Sequence, residues 1–139
     1  MKLSAKSDYA IRAVFWLAQH YLPGTAWTVE EMAAAQEIPA KYLVQILIEL
    51  KSARIVLSQR GKQGGYLLAR APAEITFGDV IRCVQGEMLD ASPLKLPNSC
   101  AELSAAWDSL QQTLDRAANS INFQQLVENA ARREKMYYI

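Results

Sequence analysis

In residues 9–22 apolar side chains fall at Ala10, Ala13, Val14, Leu17, Ala18 and Tyr21, the i, i+3, i+4, i+7 rhythm of a helix face. Ile11, Phe15 and Trp16 broaden that face and predict a helix buried on two sides, which Pro23 and Gly24 then break. The segment TVEEMAAAQ predicts a second, short helix. Thr28 can cap its N-terminus while Glu31 reaches back to complete a capping box. EIPA forms a tight connection with Pro39 suited to a first helical turn. KYLVQILIELKSA then places Tyr42, Leu43, Ile46, Leu47 and Leu50 on one face. Short helix, tight turn, second helix is the helix-turn-helix pattern.

The period changes from helical to extended after Ala53. RIVLSQ and GYLLAR are apolar or β-branched segments flanking RGKQG, which predicts a hairpin with Arg60 and Lys62 at its tip. Glycines at such a tip supply positive φ. Thr76 caps a further helix, FGDVIRCVQG, closed by Gly86. The stretch EMLDASPLKLPNSC has two prolines and no period, so it reads as a long loop, functional or mobile. Beyond it Leu103, Ala106, Trp107, Leu110, Leu114, Ala117, Ala118 and Ile121 form a long apolar stripe that needs a partner. Asn122 caps a last predicted helix running through Arg133, followed by the apolar tail KMYYI. No repeat or low-complexity segment interrupts this order. The fold class is mainly α, a winged helix-turn-helix with a small β-hairpin wing and a long C-terminal helix, which the family resemblance given below makes a dimerisation helix. Its units are residues 1–86, a candidate sensor loop 87–100, and residues 101–139.

Composition narrows the partners. The overall net charge of +1 hides an asymmetry. Residues 1–70 carry nine Lys/Arg against five Asp/Glu (+4), and residues 71–139 carry six against nine (−3). The basic half suits a polyanion. No apolar run reaches the roughly 18–20 residues of a membrane span, and no secretory h-region opens the chain, so it reads as cytoplasmic with no membrane partner. Its two cysteines, Cys83 and Cys100, make no CxxC pair and are expected to be reduced thiols. His20 is the single histidine, expected exposed at the end of the first helix. No GxSxG, HExxH or P-loop appears, and a strand rather than a helix follows the glycines of the hairpin. An enzyme is not expected.

The segments MKLSAKSDYAIRAVFWLA, IPAKYLVQIL, RGKQGGYLLARAPAEITFGDVI and MYYI resemble the BadM/IscR/CymR-type family of bacterial winged-helix transcription regulators. The resemblance implies a homodimer joined by the long helix near residues 103–119, with recognition helices in major grooves and wings at adjacent minor grooves. It also implies a repressor acting on a pseudo-palindromic operator. Cluster-bearing relatives have three clustered cysteines in the loop before the dimer helix, where this chain has only Cys100. Some relatives add a ligand from the position of Asp8. Asp8 and Cys100 fall short of four ligands, so the resemblance points to the cluster-free cysteine-metabolism branch, which shares the MYYI-like tail. An iron–sulfur or thiol-based sensor using Cys100 and Asp8 is the alternative. A winged helix that contacts a partner protein and never holds DNA is a second.

For the DNA-binding reading, Lys41, Tyr42 and Gln45 open the presumed recognition helix, whose N-terminal part enters the groove. Gln45 can both donate to and accept from adenine. Tyr42 reads equally as a core residue, and Lys41 as a solvated charge. Many relatives have Glu in place of Val44, which cannot accept from a cytosine amino group. Arg60, Gly61, Lys62, Gln63, Gly64 and Gly65 form the wing tip, suited to the minor groove or phosphates. Lys2, Lys6 and Ser7 sit before the first helix, where phosphate contacts are common. Leu103, Ala106, Trp107, Leu110, Leu114 and Ala117 are the dimerisation stripe. Cys83 reads as a small core residue and Asp8 as a helix-stabilising charge. The sequence names no effector or partner enzyme.

Overall fold

The computed structural model describes residues 2–90 and 100–137. Most of the candidate sensor loop and the last two residues of the MYYI tail lie outside them. The elements in chain order are helices α1 (Ala5–Gln19), α2 (Val29–Gln36) and α3 (Ala40–Ser52), strands β1 (Val56–Gln59) and β2 (Gly65–Leu68), a single 3-10 turn (Pro72–Glu74), and helices α4 (Phe77–Gln85), α5 (Ala101–Asn119) and α6 (Phe123–Tyr137). The helix-turn-helix and the hairpin stand where the sequence puts them.

Caps fix the helix starts. Ser4 Oγ accepts from Ser7 N to begin α1, a turn earlier than the apolar period shows. Thr28 and Glu31 form the expected capping box on α2, and Thr76 forms a second with Asp79 on α4. Asn122 Oδ1 accepts from Gln125 N at 2.9 Å and starts α6, which outruns the expected end at Arg133.

The core is one cluster. Ala10, Ala13, Val14 and Leu17 of α1 pack with Leu43, Ile46, Leu47 and Leu50 of α3, with Met32, Val56 and Leu68, and with Val80 of α4. Trp16 is buried, whereas Ile11 and Phe15 are half-buried, so the second side of α1 is only partly covered. Tyr42 departs from the face assigned to it: Leu43, Ile46, Leu47 and Leu50 are buried, but Tyr42 is 61% exposed. It lies at the edge of that face, and its phenol turns outward.

Phe123, at the start of α6, is fully buried in the same cluster, and its amide donates to Ile75 O at 3.1 Å. The C-terminal helix therefore returns to the N-terminal half. By contrast α5 touches the rest mainly at its C-terminal end, where Arg82 of α4 donates to Asn119 Oδ1 at 2.6 Å and pairs with Asp115. Ala118 is its one buried residue among those described. Leu103, Trp107 and Leu110 stand 62%, 36% and 47% exposed. Ala106 and Ala117 are also exposed and Leu114 is half-buried, so the stripe has no cover within the described chain.

Candidate nucleic-acid interface

Strand β1 pairs antiparallel with β2, from Val56 opposite Leu68 to Gln59 opposite Gly65. Residues 60–64 turn between them, closed by Gly64 N donating to Gly61 O at 2.9 Å. Gly61 has φ +108°, as expected at a turn. Gly64 does not have positive φ; its lack of a side chain is needed because a Cβ there would crowd the carbonyl oxygens of Gln59 and Gly61. Arg60 and Lys62 are exposed, and so is Gln63. Trp27 adds a short third rung, its N donating to Tyr66 O and its O accepting from Tyr66 N, each at 2.8 Å. That rung ties the wing to the loop before α2. Lys62, Gln63 and Gly64 line a groove of about 310 Å³ with Gln59 and with Thr28 and Glu31 of the α2 cap.

Helix α3 opens differently from α1, α2 and α4. Its N-cap is Pro39, with no side-chain cap, so no side chain accepts from its first amides, and Tyr42 N donates only to the backbone, to Pro39 O at 3.0 Å. Lys41, Tyr42, Val44 and Gln45 are exposed on its first turns. Tyr42 and Gln45 line a groove of about 650 Å³ with Lys6, Tyr9 and Glu49. Lys6, expected on phosphate, instead reaches across to Glu49 Oε1 at 2.5 Å. Ser7 departs further from expectation: it is 2% exposed and its hydroxyl donates to Gln85 Oε1 at 2.6 Å. Burial removes it from any surface contact. Among the described ion pairs Lys6, Arg12, Arg70 and Arg82 are engaged, whereas Lys41, Arg60 and Lys62 are in none. The exposed cations at the start of α3 and on the wing are thus uncommitted.

Gln85 carries no mark in the sequence. It ends α4, accepts from Ser4 N and Ser7 Oγ, and donates from Nε2 to Lys2 O at 3.1 Å, which pins the N-terminal arm. Contacts across some eighty residues leave no local signal. Glu49 goes unmarked for the same reason. His20 is exposed, as expected, caps α1 and stacks on Trp16 with ring centroids 4.1 Å apart.

Asp8 is exposed and holds Arg12 at 3.1 Å, one turn along α1. Cys100 is the N-cap of α5, exposed, and its thiol donates to Glu102 Oε2 at 2.7 Å. That bond pulls the Glu102 carboxyl below its ordinary value. Cys83 is half-buried against the core, and its thiol donates to Glu49 O at 3.3 Å. Burial pushes the Cys83 thiol above its ordinary value, the Glu49 carboxylate adds to this and the Lys6 ammonium partly opposes it. Thiolate is the reactive form. Limited alkylation followed by peptide mass spectrometry is therefore expected to label Cys100 well before Cys83 in the folded protein, and both alike in denaturant.

A helix-turn-helix followed by an antiparallel hairpin, with α4 packed behind, defines a winged-helix protein. A family model, Rrf2, described as an iron-dependent transcriptional regulator, matches residues 3–129. Rv1287 of Mycobacterium tuberculosis, named for an HTH-type transcriptional regulator, is 40% identical over 119 residues, 82% of this chain and 73% of that protein. IscR of Serratia proteamaculans is 31% identical over 134 residues, covering 93% of this chain and 80% of its own. The solved structure of T. potens IscR superposes with a TM-score of 0.75 at 30% identity, over 94% of this chain and 88% of that one. CymR, the global cysteine regulator of B. subtilis, gives 0.77 at 24% identity, over 93% and 98%, a likeness of fold. The chain belongs to the Rrf2 family of transcription regulators, and its relatives are regulators rather than enzymes.

The family description names iron, and the donors of this chain do not fit a cluster. No three His, Cys, Asp or Glu side chains converge among the described residues. The two thiols donate to Glu49 O and to Glu102, Asp8 is held by Arg12, and no contact among the described residues joins Asp8 to Cys100. Residues 91–99, outside the described ones, contain no Cys, His, Asp or Glu. Iron–sulfur clusters take about four ligands, chiefly thiolates.

Proposed function

We propose that this chain is a homodimeric, sequence-specific repressor that needs no cluster and acts on a pseudo-palindromic operator in the cytoplasm. Residues 1–86 bind the DNA: Lys41, Tyr42 and Gln45 in the major groove, and Arg60 to Gly65 at the minor groove and phosphates. Lys2 serves the backbone from the arm, and Lys6 acts chiefly by holding Glu49. The observation that carries this reading is the pattern of charge commitment. Lys41 at the start of α3 and Arg60 and Lys62 on the wing are exposed and in no ion pair among the described residues, so all three are available to phosphates, whereas Lys6 and Arg12 of α1 are engaged. Two chains pair through α5, whose exposed Leu103, Trp107 and Leu110 are too apolar a stripe for solvent. Membership of a regulator family supports the DNA as partner. Among the described residues no helix is long and apolar enough to cross a membrane.

A signal received by the 87–100 segment, with Cys100 at its end, changes the angle between the two DNA-binding halves. Gln85, separated from that segment by Gly86 alone, holds the arm, so movement there reaches α1 and, through Lys6 and Glu49, α3. Each contact to a base edge is worth about 1–3 kcal/mol, so a small displacement that breaks a few of them suffices.

Titration of an operator-sized duplex by fluorescence anisotropy, over a range of salt, tests this. Two chains per duplex at saturation and binding that weakens steeply with salt are expected. Arg60→Ala combined with Lys62→Ala should flatten the log–log slope by about two, roughly one unit for each phosphate no longer neutralised. Binding that ignores salt, or a double variant with the parental slope, refutes the wing's role.

A further inference from the structure

We propose that the outward face of α3 reads thymine, with Val44 and Ile48 packing against C5-methyl groups in the major groove beside Gln45. This rests on the DNA-binding reading of α3 given above. Lys41, Val44, Gln45 and Ile48 stand at i, i+3, i+4 and i+7, so they form one stripe along the helix. The opposite face carries Leu43, Ile46, Leu47 and Leu50, all at most 2% exposed. Val44 and Ile48 are apolar yet 36% and 48% exposed. A lone exposed aliphatic residue means little. Two of them, a turn apart on the face that also carries a free lysine and an amide, form a mixed surface with a definite complement.

A wholly apolar partner, such as a second copy's core-like face, would leave Lys41 and Gln45 buried without partners, which is costly. A major groove offers all three complements: phosphates for Lys41, a donor–acceptor edge for Gln45, and the thymine methyl, the distinctive apolar group on the base edges. Val44 has neither donor nor acceptor, so it discriminates through that methyl or not at all. The charge around the stripe is permissive. Glu49, the acidic residue of α3, is neutralised by Lys6 at 2.5 Å. The expected half-site therefore carries thymines spaced for two contacts one helical turn apart on α3, with an adenine between or beside them for Gln45.

The test uses the full chain. A duplex is first selected from a randomised pool, and each thymine of the half-site is then replaced singly by deoxyuridine, which removes the methyl group alone. At the thymines beneath Val44 and Ile48 affinity should fall about fourfold, the equivalent of about 0.8 kcal/mol for one buried methyl-sized group. Val44→Ala and Ile48→Ala should weaken binding to the thymine duplex and bring its ratio to the uridine duplex close to one. The salt slope should not change, because no charge is touched. Both positions are exposed, and circular dichroism verifies that the variants fold. Salt-dependent binding with no weakening at any uridine, or selected half-sites without thymine, overturns the inference while leaving the DNA-binding reading intact. Absence of all salt-dependent binding by the parent chain overturns both.

Discussion

Replacing Gly65 by alanine is expected to unseat the wing and to lower stability by about 2–6 kcal/mol. Gly65 begins β2 opposite Gln59 with φ +150°, a backbone conformation that side chains disfavour. Space is the harder limit. A Cβ at this position would overlap the backbone carbonyl of Trp27, the group that accepts from Tyr66 N. Overpacking costs about 1–3 kcal/mol and a disfavoured φ about 1–3 more. Trp27 cannot retreat freely, because its indole Nε1 donates to His20 O at 3.1 Å and its ring meets Trp16 edge-on at 5.3 Å. The alanine must therefore break the rung between Trp27 and Tyr66. Hydrogen exchange should show the amides of Trp27 and Tyr66 opening far faster, and denaturant titration should show a lower midpoint. Gly61→Ala is the control: φ is +108° there, but nothing lies within 4 Å of its Cβ, so only the backbone cost remains. Equal midpoints for Gly65→Ala and the parent would mean that the wing is not held by this rung.

That rung marks where the sequence ceases to be legible. Periodicity and caps are local, so the helix-turn-helix, the hairpin and both ends of α2 can be read from neighbouring residues. The exposed face of α3 is legible for the same reason: Lys41 and Gln45 fall outside the buried stripe by spacing alone. Tyr42 is misplaced by periodicity because an aromatic ring at the margin of a stripe fits either side, and only the packing of α1 decides. Ser7 is misplaced because its partner, Gln85, lies 78 positions away. Nothing in the order of residues announces that Trp27 will extend a sheet, that Glu49 will consume Lys6, or that one glutamine will hold the arm. The uncovered stripe of α5 is the reverse case. Its length and period are plain, and what the structure adds is that no other part of the described chain covers it.

Phe123→Ala is expected to cost about 3–5 kcal/mol, the range for emptying an aromatic site in a packed core. Phe123 is fully buried, its ring lies 5.6 Å from that of Phe77, and its amide donates to Ile75 O. The cavity would open between α6, α1 and the 3-10 turn, where the surroundings are fixed by backbone hydrogen bonds and collapse poorly. Against a typical total of about 5–15 kcal/mol such a decrease is a large share. The form of the transition matters as much as its midpoint. In a Trp107→Phe background, which removes the tryptophan of α5, Trp16 and Trp27 report on the N-terminal half, and far-ultraviolet circular dichroism reports on all helices. Because Phe123 shares one cluster with Ala10, Val14 and Leu47, both signals should shift together in the variant. If tryptophan fluorescence near α1 kept the parental midpoint while helicity fell early, residues 1–86 would stand as an independent folding unit and α6 as an appendage. Coincident unfolding would instead mean that α6 belongs to the same folding unit as residues 1–86. On that arrangement α5 is a rod anchored at one end to the core that carries α1 and α3, so in the dimer proposed above a rotation of the rod would be delivered to α3 with little slack.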